Sequence, residues 1–356
     1  PVKGVGTLRS FEPGFIARQP VTQEIIKTIR IVGEYKGKQA SYRDRAPQLL
    51  ETLRTAAIVS STESSNRIEG ITAPAARVAA LVAHGVPPRN RSEQEIAGYR
   101  DVLNTIHANH EHMPFNTGVV LQMHRDLYRF TTDAGGQWKD VDNQIVEFLP
   151  DDSKRVRFTP VPAHLTGEAM ESLHLQFNEA WNARDTEPLL LVATYVLDFL
   201  CIHPFRDGNG RMARLLSLLL LYRAGYDIGR YMSLEQIVEK TRESYYDTLY
   251  RSSIGWHDGR HSLTPWWEYF LGVMLLQAYR ELDARVESLT SARGAKTRMV
   301  VDAIAALPPS FRLSEVERCC PGASRPTINR VVAALRKAGR LKCSKPGRNA
   351  VWEKKT

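Results

Sequence analysis

From Leu189 to Ile202 the chain is apolar almost all the way round a helix, through Leu189, Leu190, Leu191, Val192, Ala193, Val196, Leu197, Phe199 and Leu200. A helix with no polar face has to lie in the middle of a fold, covered on every side. Asp185-Thr186-Glu187-Pro188 supplies its start, a capping side chain followed by proline in the first turn. Pro204 marks its end, because a proline disfavours helix at the residue before it, here His203. A second apolar run, Leu215 to Tyr222, lies inside a helix expected over Met212–Ala224 and stopped by Gly225. Between the two runs stand polar, charged and glycine-rich residues, His203-Pro204-Phe205-Arg206-Asp207-Gly208-Asn209-Gly210-Arg211-Met212-Ala213-Arg214. Two buried helices joined by such a loop frame a site.

The loop is suited to anions. Gly208, Asn209 and Gly210 at a helix start leave backbone N–H groups free to point at a phosphate, and the helix dipole adds to the attraction. Arg211 and Arg214 are three apart and share a face of the first turn, where two guanidinium groups could clamp successive phosphates. Arginines there oppose the helix dipole, a conflict that a bound anion resolves. Asp207 is a hard oxygen ligand beside the nest, of the kind that holds Mg²⁺ together with substrate phosphates. His203 is the one nearby side chain that titrates near neutrality, hence the candidate general base. Gly208 to Ala213 also fits a loose dinucleotide fingerprint, but that motif follows a strand and this one follows a helix.

Elsewhere the pattern is mainly helical, with helices expected near Glu24–Tyr35 and over Ala46–Ser60, Pro74–His84, Ser92–Asn109, Thr117–Tyr128, Leu165–Asn182, Leu234–Ser252 and Pro265–Leu289. Before residue 291 the period changes once: Gln144–Leu149 and Arg155–Thr159 read as a β-hairpin around Pro150-Asp151-Asp152-Ser153. Charge then separates the ends of the chain. Residues 291–356 hold fifteen Lys and Arg against four Asp and Glu, a net +11 in a chain of +9. Helices at Thr297–Ala306, from Ser314 and at Ser324–Ala338, a turn at Pro321-Gly322, and strands at Arg340–Ser344 and Ala350–Glu353 around Lys345-Pro346-Gly347-Arg348 form a winged helix-turn-helix pattern. Its expected recognition helix carries Arg325, Asn329, Arg330, Arg336 and Lys337, which makes DNA a candidate partner. With 43% hydrophobic and 24% charged residues the 356-residue chain reads as two or three globular domains. Pro1 to Phe15 lacks the apolar core of a signal peptide, and Cys201, Cys319, Cys320 and Cys343 have no metal-ligand spacing, so a cytoplasmic protein with reduced thiols and no membrane partner is expected.

His203 through Arg214 resembles in full the signature of the Fic family, HPFx(D/E)GNGRxxR. Further likeness lies in Pro160–Asn178, Ser233-Leu234-Glu235, Glu243 to Leu249 and Pro265-Trp266. The resemblance implies a Fic-type helical bundle with a small β-hairpin flap, and transfer of AMP from ATP to a Ser, Thr or Tyr hydroxyl of a target protein. It implies that His203 deprotonates the hydroxyl, that Asp207 holds Mg²⁺, and that Gly208, Asn209 and Gly210 bind the α- and β-phosphates. Arg211 and Arg214 would take the outer phosphates, Phe205 would anchor the loop, and Tyr245 and Tyr246 would line the nucleoside pocket, although neighbours on a helix point different ways. The kinase-like branch replaces part of this arginine clamp, and this chain keeps it.

A second likeness changes the expected behaviour. Ser65-Asn66-Arg67-Ile68-Glu69-Gly70 resembles the family's inhibitory pattern, (S/T)xxxE(G/N). By that resemblance Ser65, Glu69 and Gly70 belong to an inhibitory helix over about 57–70, and Glu69 competes with the ATP γ-phosphate for Arg214. The hairpin corresponds to the flap, with Ile145, Val146, Glu147, Phe148 and Leu149 as the strand that docks the target. Lys139 departs from the family, where arginine is common. Three regions follow: 1–110 with the inhibitory helix, a catalytic domain at 111–290 and the winged helix at 291–356. A homodimer, AMP removal by the same enzyme, and a DNA-binding regulator whose Fic domain senses nucleotide or modifies itself stay open beside the transferase reading.

Overall fold

In a computed structural model the apolar run after Glu187 forms a helix, Pro188–Ile202, with thirteen of its fifteen residues buried. The Glu187 side chain accepts from the Leu189 N–H at the start, and Pro188 stands in the first turn. The structure describes residues 10–45, 47–148, 153–291, 295–320, 323–345 and 350–355. In order the helices are α1 (Phe15–Arg18), α2 (Gln23–Arg45), α3 (Pro47–Ile68), α4 (Ala75–His84), α5 (Arg91–Asn109) and α6 (Thr117–Leu127). The hairpin β1 (Ile145–Phe148) and β2 (Lys154–Phe158) follows, then α7 (Thr166–Ala183), the central α8 (Pro188–Ile202) and α9 (Asn209–Arg223). Next come α10 (Leu234–Lys240), α11 (Arg242–Ser253), α12 (Thr264–Glu268), a π-helical stretch Tyr269–Leu275 and α13 (Leu276–Ser291).

Two compact units emerge, Pro1–Gly37 with Glu51–Arg280 and Lys38–Leu50 with Glu281–Thr356. In the first, α7 and α9 pack on α8, and α12 caps it: Trp266 Nε1 donates to the Ala193 carbonyl at 2.7 Å and Trp267 Nε1 to Thr194 Oγ1 at 3.0 Å. Each indole buries its ring while its N–H stays bonded. The one acid on α8, Asp198, is buried and accepts from Ser10 Oγ at 2.6 Å and Trp256 Nε1 at 2.7 Å; burial pushes its carboxyl up to about 7.

Several boundaries differ from the sequence expectation. The expected Leu234–Ser252 helix breaks at Thr241, whose hydroxyl donates to the Ile237 carbonyl at 2.8 Å and offers the backbone a competing partner. α3 runs on through Ser61–Ile68, so the inhibitory pattern continues an existing helix. α2 reaches Arg45, well past Tyr35, and α9 begins at Asn209, three residues earlier than expected.

The second unit contains α14 (Ala295–Ala306), β3 (Ser310–Arg312), α15 (Leu313–Cys319), α16 (Arg325–Lys337), β4 (Leu341–Lys345) and β5 (Val351–Lys354). Its sheet has the antiparallel order β3-β5-β4, one strand more than the pattern predicts, because β3 pairs Phe311 with Trp352. Val300, Phe311, Val316, Ile328, Val331 and Leu341 form its core. Leu149, the Pro150–Asp152 turn, Pro321-Gly322 and Pro346-Gly347-Arg348 lie outside the described residues.

Candidate active site

His203 follows the last residue of α8 and has a left-handed backbone, φ 52° and ψ 61°, one of two described non-glycine residues with positive φ. That conformation costs about 1 kcal/mol or more and persists only where the surroundings enforce it. Here they do. Its N–H donates to the Phe199 carbonyl at 2.9 Å, and Nδ1–H donates to the Leu200 carbonyl at 3.2 Å. A proton on Nδ1 leaves Nε2 as a lone-pair base. Burial pushes the imidazole down to about 4, with Lys139 acting in the same direction and the Leu200 carbonyl, Glu69 and Asp207 opposing it. His203 is therefore neutral at pH 7.

Gly208 ends the loop and α9 begins at Asn209, so the first-turn N–H groups of α9 have no acceptor inside the helix. The Asn209 side chain does not face outward. Its Oδ1 accepts from the Phe205 N–H at 2.9 Å and its Nδ2 donates to the Phe205 carbonyl at 2.8 Å, closing the loop on itself. Phe205 is buried and stacks on His124 at 3.6 Å between centroids. The His124 Nδ1 accepts from the Gly136 N–H at 2.9 Å, and its Nε2–H donates to the Asp207 carbonyl at 3.1 Å. The Asp207 side chain is 71% exposed, and Oδ1 accepts from the Gly208 N–H at 2.6 Å. Burial pushes its carboxyl up, but Arg211, the Tyr128 hydroxyl, the Gly208 N–H and Arg91 together hold it below the usual range. An exposed, ionised carboxylate beside a helix N-terminus fits a Mg²⁺ ion shared with phosphates.

Arg214 is buried one turn into α9. Its Nε donates to Ser65 Oγ at 2.8 Å, and Nη2 donates to the Ser65 carbonyl at 2.9 Å and to Glu69 Oε1 at 2.7 Å. Its Nη1 is buried and has no hydrogen-bond partner among the described residues. Burial alone would lower the guanidinium, but Glu69 chiefly holds it charged. Glu69 lies just past the end of α3, which closes at Gly70 with φ 78° and an Ile71 N–H donating to the Asn66 carbonyl at 3.0 Å. The last turns of α3 bury polar groups, Ser61, Thr62, Ser64, Ser65 and Asn66, and Arg67 ties them to α10 through Glu239 at 2.7 Å. A Cβ on Gly210 would collide with Glu69 Oε1 and lie 3.3 Å from Arg214 Nη1. The carboxylate thus sits directly over the N-terminus of α9, where an anion is stabilised.

Arg211 does not join Arg214. It is 1% exposed, Nη1 donates to Glu95 Oε2 at 2.7 Å and Nη2 to the Tyr128 hydroxyl at 2.9 Å. The expected two-arginine face diverges because each guanidinium finds a carboxylate from a different helix, Glu95 on α5 and Glu69 after α3. Removing one partner of a buried pair strands the other, so Glu95→Ala is expected to destabilise the chain by about 3–5 kcal/mol. A thermal or urea midpoint indistinguishable from wild type would refute that.

Tyr245 is buried against Trp266 and Tyr269, in the core, while Tyr246 is half-buried with Arg242 over its ring. The open space lies one turn further along α11: a cavity of about 400 Å³ between β2 and the end of α11, lined by Val156, Phe158, Tyr250, Ser253, Trp256 and His257. Nothing in the local pattern marks these residues, because the cavity forms only when β2 meets α11. In the hairpin Val146 faces Val156 across the strands, and both are exposed. Ile145 pairs with Phe158, while Glu147 and Phe148 pair with Arg155 and Lys154.

Residues 114–221 match the Fic/DOC family, so the matched segment runs from before α6 nearly to the end of α9. The protein adenylyltransferase fic-1 of Caenorhabditis briggsae is 27% identical over 195 residues, 53% of this chain and 35% of that protein. This chain thus spans about a third of the length of that curated relative. A Fic family protein from Desulfovibrio desulfuricans has a similar structure, with a TM-score of 0.61 at 22% identity over 94% of this chain and 97% of the other. A Fic domain containing signaling protein from Bacteroides thetaiotaomicron gives 0.60 at 20% identity over 72% and 98%. The likeness to these two structures is one of fold. Among the described residues no helix is long and apolar enough to cross a membrane.

Proposed function

We propose that this chain is a protein adenylyltransferase, moving AMP from ATP onto a serine, threonine or tyrosine hydroxyl of a target protein and of itself. What carries the reading is a neutral histidine with Nε2 as its base, set beside an anion-binding helix N-terminus and a buried arginine with a spare donor. The homology of the central segment to fic-1 adenylyltransferases supports AMP transfer in general. In this reading His203 Nε2 takes the hydroxyl proton as the oxygen attacks the α-phosphorus. The bond from that phosphorus to the bridging oxygen breaks, and pyrophosphate leaves. First-turn N–H groups from Asn209 and Gly210 receive phosphate oxygens, and Arg214 receives the outer phosphate. Asp207 would hold Mg²⁺, which supplies charge neutralisation on the phosphates. Positioning and charge stabilisation of this kind carry most of phosphoryl-type catalysis.

Arg211 braces the loop in this scheme, with Glu95 as its partner. In this scheme Tyr245 and Tyr246 line the nucleoside site, Tyr245 in a pocket that it shares with Arg214. A target segment adds beside the hairpin as a further strand, with the Val146 and Val156 pair as its apolar contact. Glu69 holds the enzyme in check by occupying the phosphate position on Arg214. The test is retention of label from ATP labelled on the α-phosphate, and none from the γ-phosphate, on the Glu69→Gly chain; a kinase gives the opposite pattern.

A second reading rests on the basic C-terminal unit, taken as a winged helix-turn-helix. In α16 Arg325, Arg330, Arg336 and Lys337 are all exposed, as a DNA-facing helix requires. The chain would then be a DNA-binding regulator with a nucleotide-sensing or self-modifying Fic domain. Duplex binding by the full chain that weakens steeply with salt is its expected result; no binding at low salt would rule it out.

A further inference from the structure

The segment 139–143, just before β1, holds the backbone of the His203 loop in a way that neither the signature motif nor the proposed roles account for. The Lys139 N–H donates to the Pro204 carbonyl at 2.8 Å, and Lys139 Nζ donates to the Ile202 carbonyl at 3.1 Å and to Asn143 Oδ1 at 2.8 Å. Asn143 Nδ2 in turn reaches the Phe205 carbonyl at 3.2 Å and the His203 carbonyl at 3.4 Å. Four consecutive carbonyls, 202 to 205, are thus taken by two residues. Asp140 adds a two-pronged pair with Arg206, Oδ2 to Nη2 at 2.9 Å. At the other end of the same segment Asp142 Oδ1 accepts from the Ala163 N–H at 2.7 Å, which closes the stem of the hairpin.

Lys139 is 3% exposed, and an ammonium is buried only where it is well bonded. Its place at the last carbonyls of α8 is favourable, because a cation there meets the negative end of the helix. The residue it steadies is the one with the left-handed backbone. We propose that Lys139 and Asn143 are positioning residues for the base, holding carbonyls 202–205 so that His203 keeps its conformation, and joining it to the root of the hairpin. A target strand added to the hairpin then acts on a frame that already contains the base.

The electrostatics agree. Lys139 helps hold His203 deprotonated, second to burial, while Glu69 and Asp207 act against it. Burial brings the Lys139 ammonium down to about 8, and Asp142 on its own segment opposes that shift. The charge that keeps the base free is therefore present below about pH 8 and fades above it.

The kinetic part of the test rests on the transferase reading; the spectroscopic part does not. Lys139→Gln and Lys139→Arg are made in the full-length Glu69→Gly chain, and the imidazole carbons are titrated by NMR, with His203→Ala assigning the signal. Lys139→Gln is expected to move the His203 titration upward, and Lys139→Arg to leave it in place. In AMP transfer, kcat of Lys139→Gln should fall about tenfold to a hundredfold, the scale of a small misplacement of a reacting group, with KM for ATP little changed. Lys139→Arg should restore most of it. A native His203 titration in folded Lys139→Gln overturns the proposal, as does an equal loss of kcat in both variants. If no variant transfers AMP, the transferase reading fails and the titration alone decides.

Discussion

Glu69→Gly is expected to raise the rate of self-labelling from α-labelled ATP about ten- to a hundredfold, the worth of one charge-assisted hydrogen bond of roughly 1.5–3 kcal/mol. In the native chain the Glu69 carboxylate bonds Arg214 at 2.7 Å and covers the N-terminus of α9. A phosphate that is to take the Glu69 position on Arg214 must first displace it. The substitution removes the competitor without disturbing a helix interior, because α3 has ended at Ile68 and Ser65 still bonds Arg214 from two sides. Glu69→Gln separates charge from bulk, since the amide fills the same space without the ion pair, and its rate should fall between the two. Initial rates measured on the full chain check both, and an unchanged rate in Glu69→Gly sinks the inhibitory role.

His203→Ala has the opposite effect and a larger one. Loss of a general base lowers the rate by about 10²–10⁴-fold, so in the Glu69→Gly background labelling should drop to the blank. ATP affinity should hardly change, because His203 lies outside the phosphate cradle. An alanine variant with weakened ATP binding and native kcat would place the residue in binding instead. The pH dependence adds a check. The base works when unprotonated, and its imidazole is pushed down to about 4. The acid limb of kcat/KM should therefore lie near pH 4, whereas an ordinary histidine would place it near 6.5. A limb near 6.5 would mean that the imidazole titrates unshifted in the working enzyme.

The parts of the site that could be read from sequence are those in which one segment carries its own chemistry. Leu189–Ile202 announces a central helix by being apolar on every face, and Gly208 to Arg211 announces an anion site by being glycine-rich at a helix start. The pairing of Glu69 with Arg214 joins residues 145 positions apart, and only the family pattern makes it visible in the chain. Arg211 shows where such reading stops. Spacing places it with Arg214, yet its direction is set by Glu95, 116 residues away, which looks in sequence like any surface glutamate of an amphipathic helix. Tyr245 shows the same limit, because Trp266 and Tyr269 decide that it belongs to the core. The break at Thr241 and the π-helical stretch at Tyr269–Leu275 escape pattern reading because both interrupt helices whose apolar rhythm continues across them.

Gly210 leads to one last consequence. A Cβ built on Gly210 would collide with Glu69 Oε1. In the transferase reading a phosphate oxygen must come to the same place. A methyl group at this position would have to push the Glu69 carboxylate aside, and in that reading it would crowd the phosphate oxygen as well. In the transferase reading a larger residue at 210 disturbs control and substrate binding together, whereas changes at Ser65, Glu69 or Gly70 reach the contact from the α3 side alone. In that reading the restraint is separable from the phosphate site only on the α3 side of the contact.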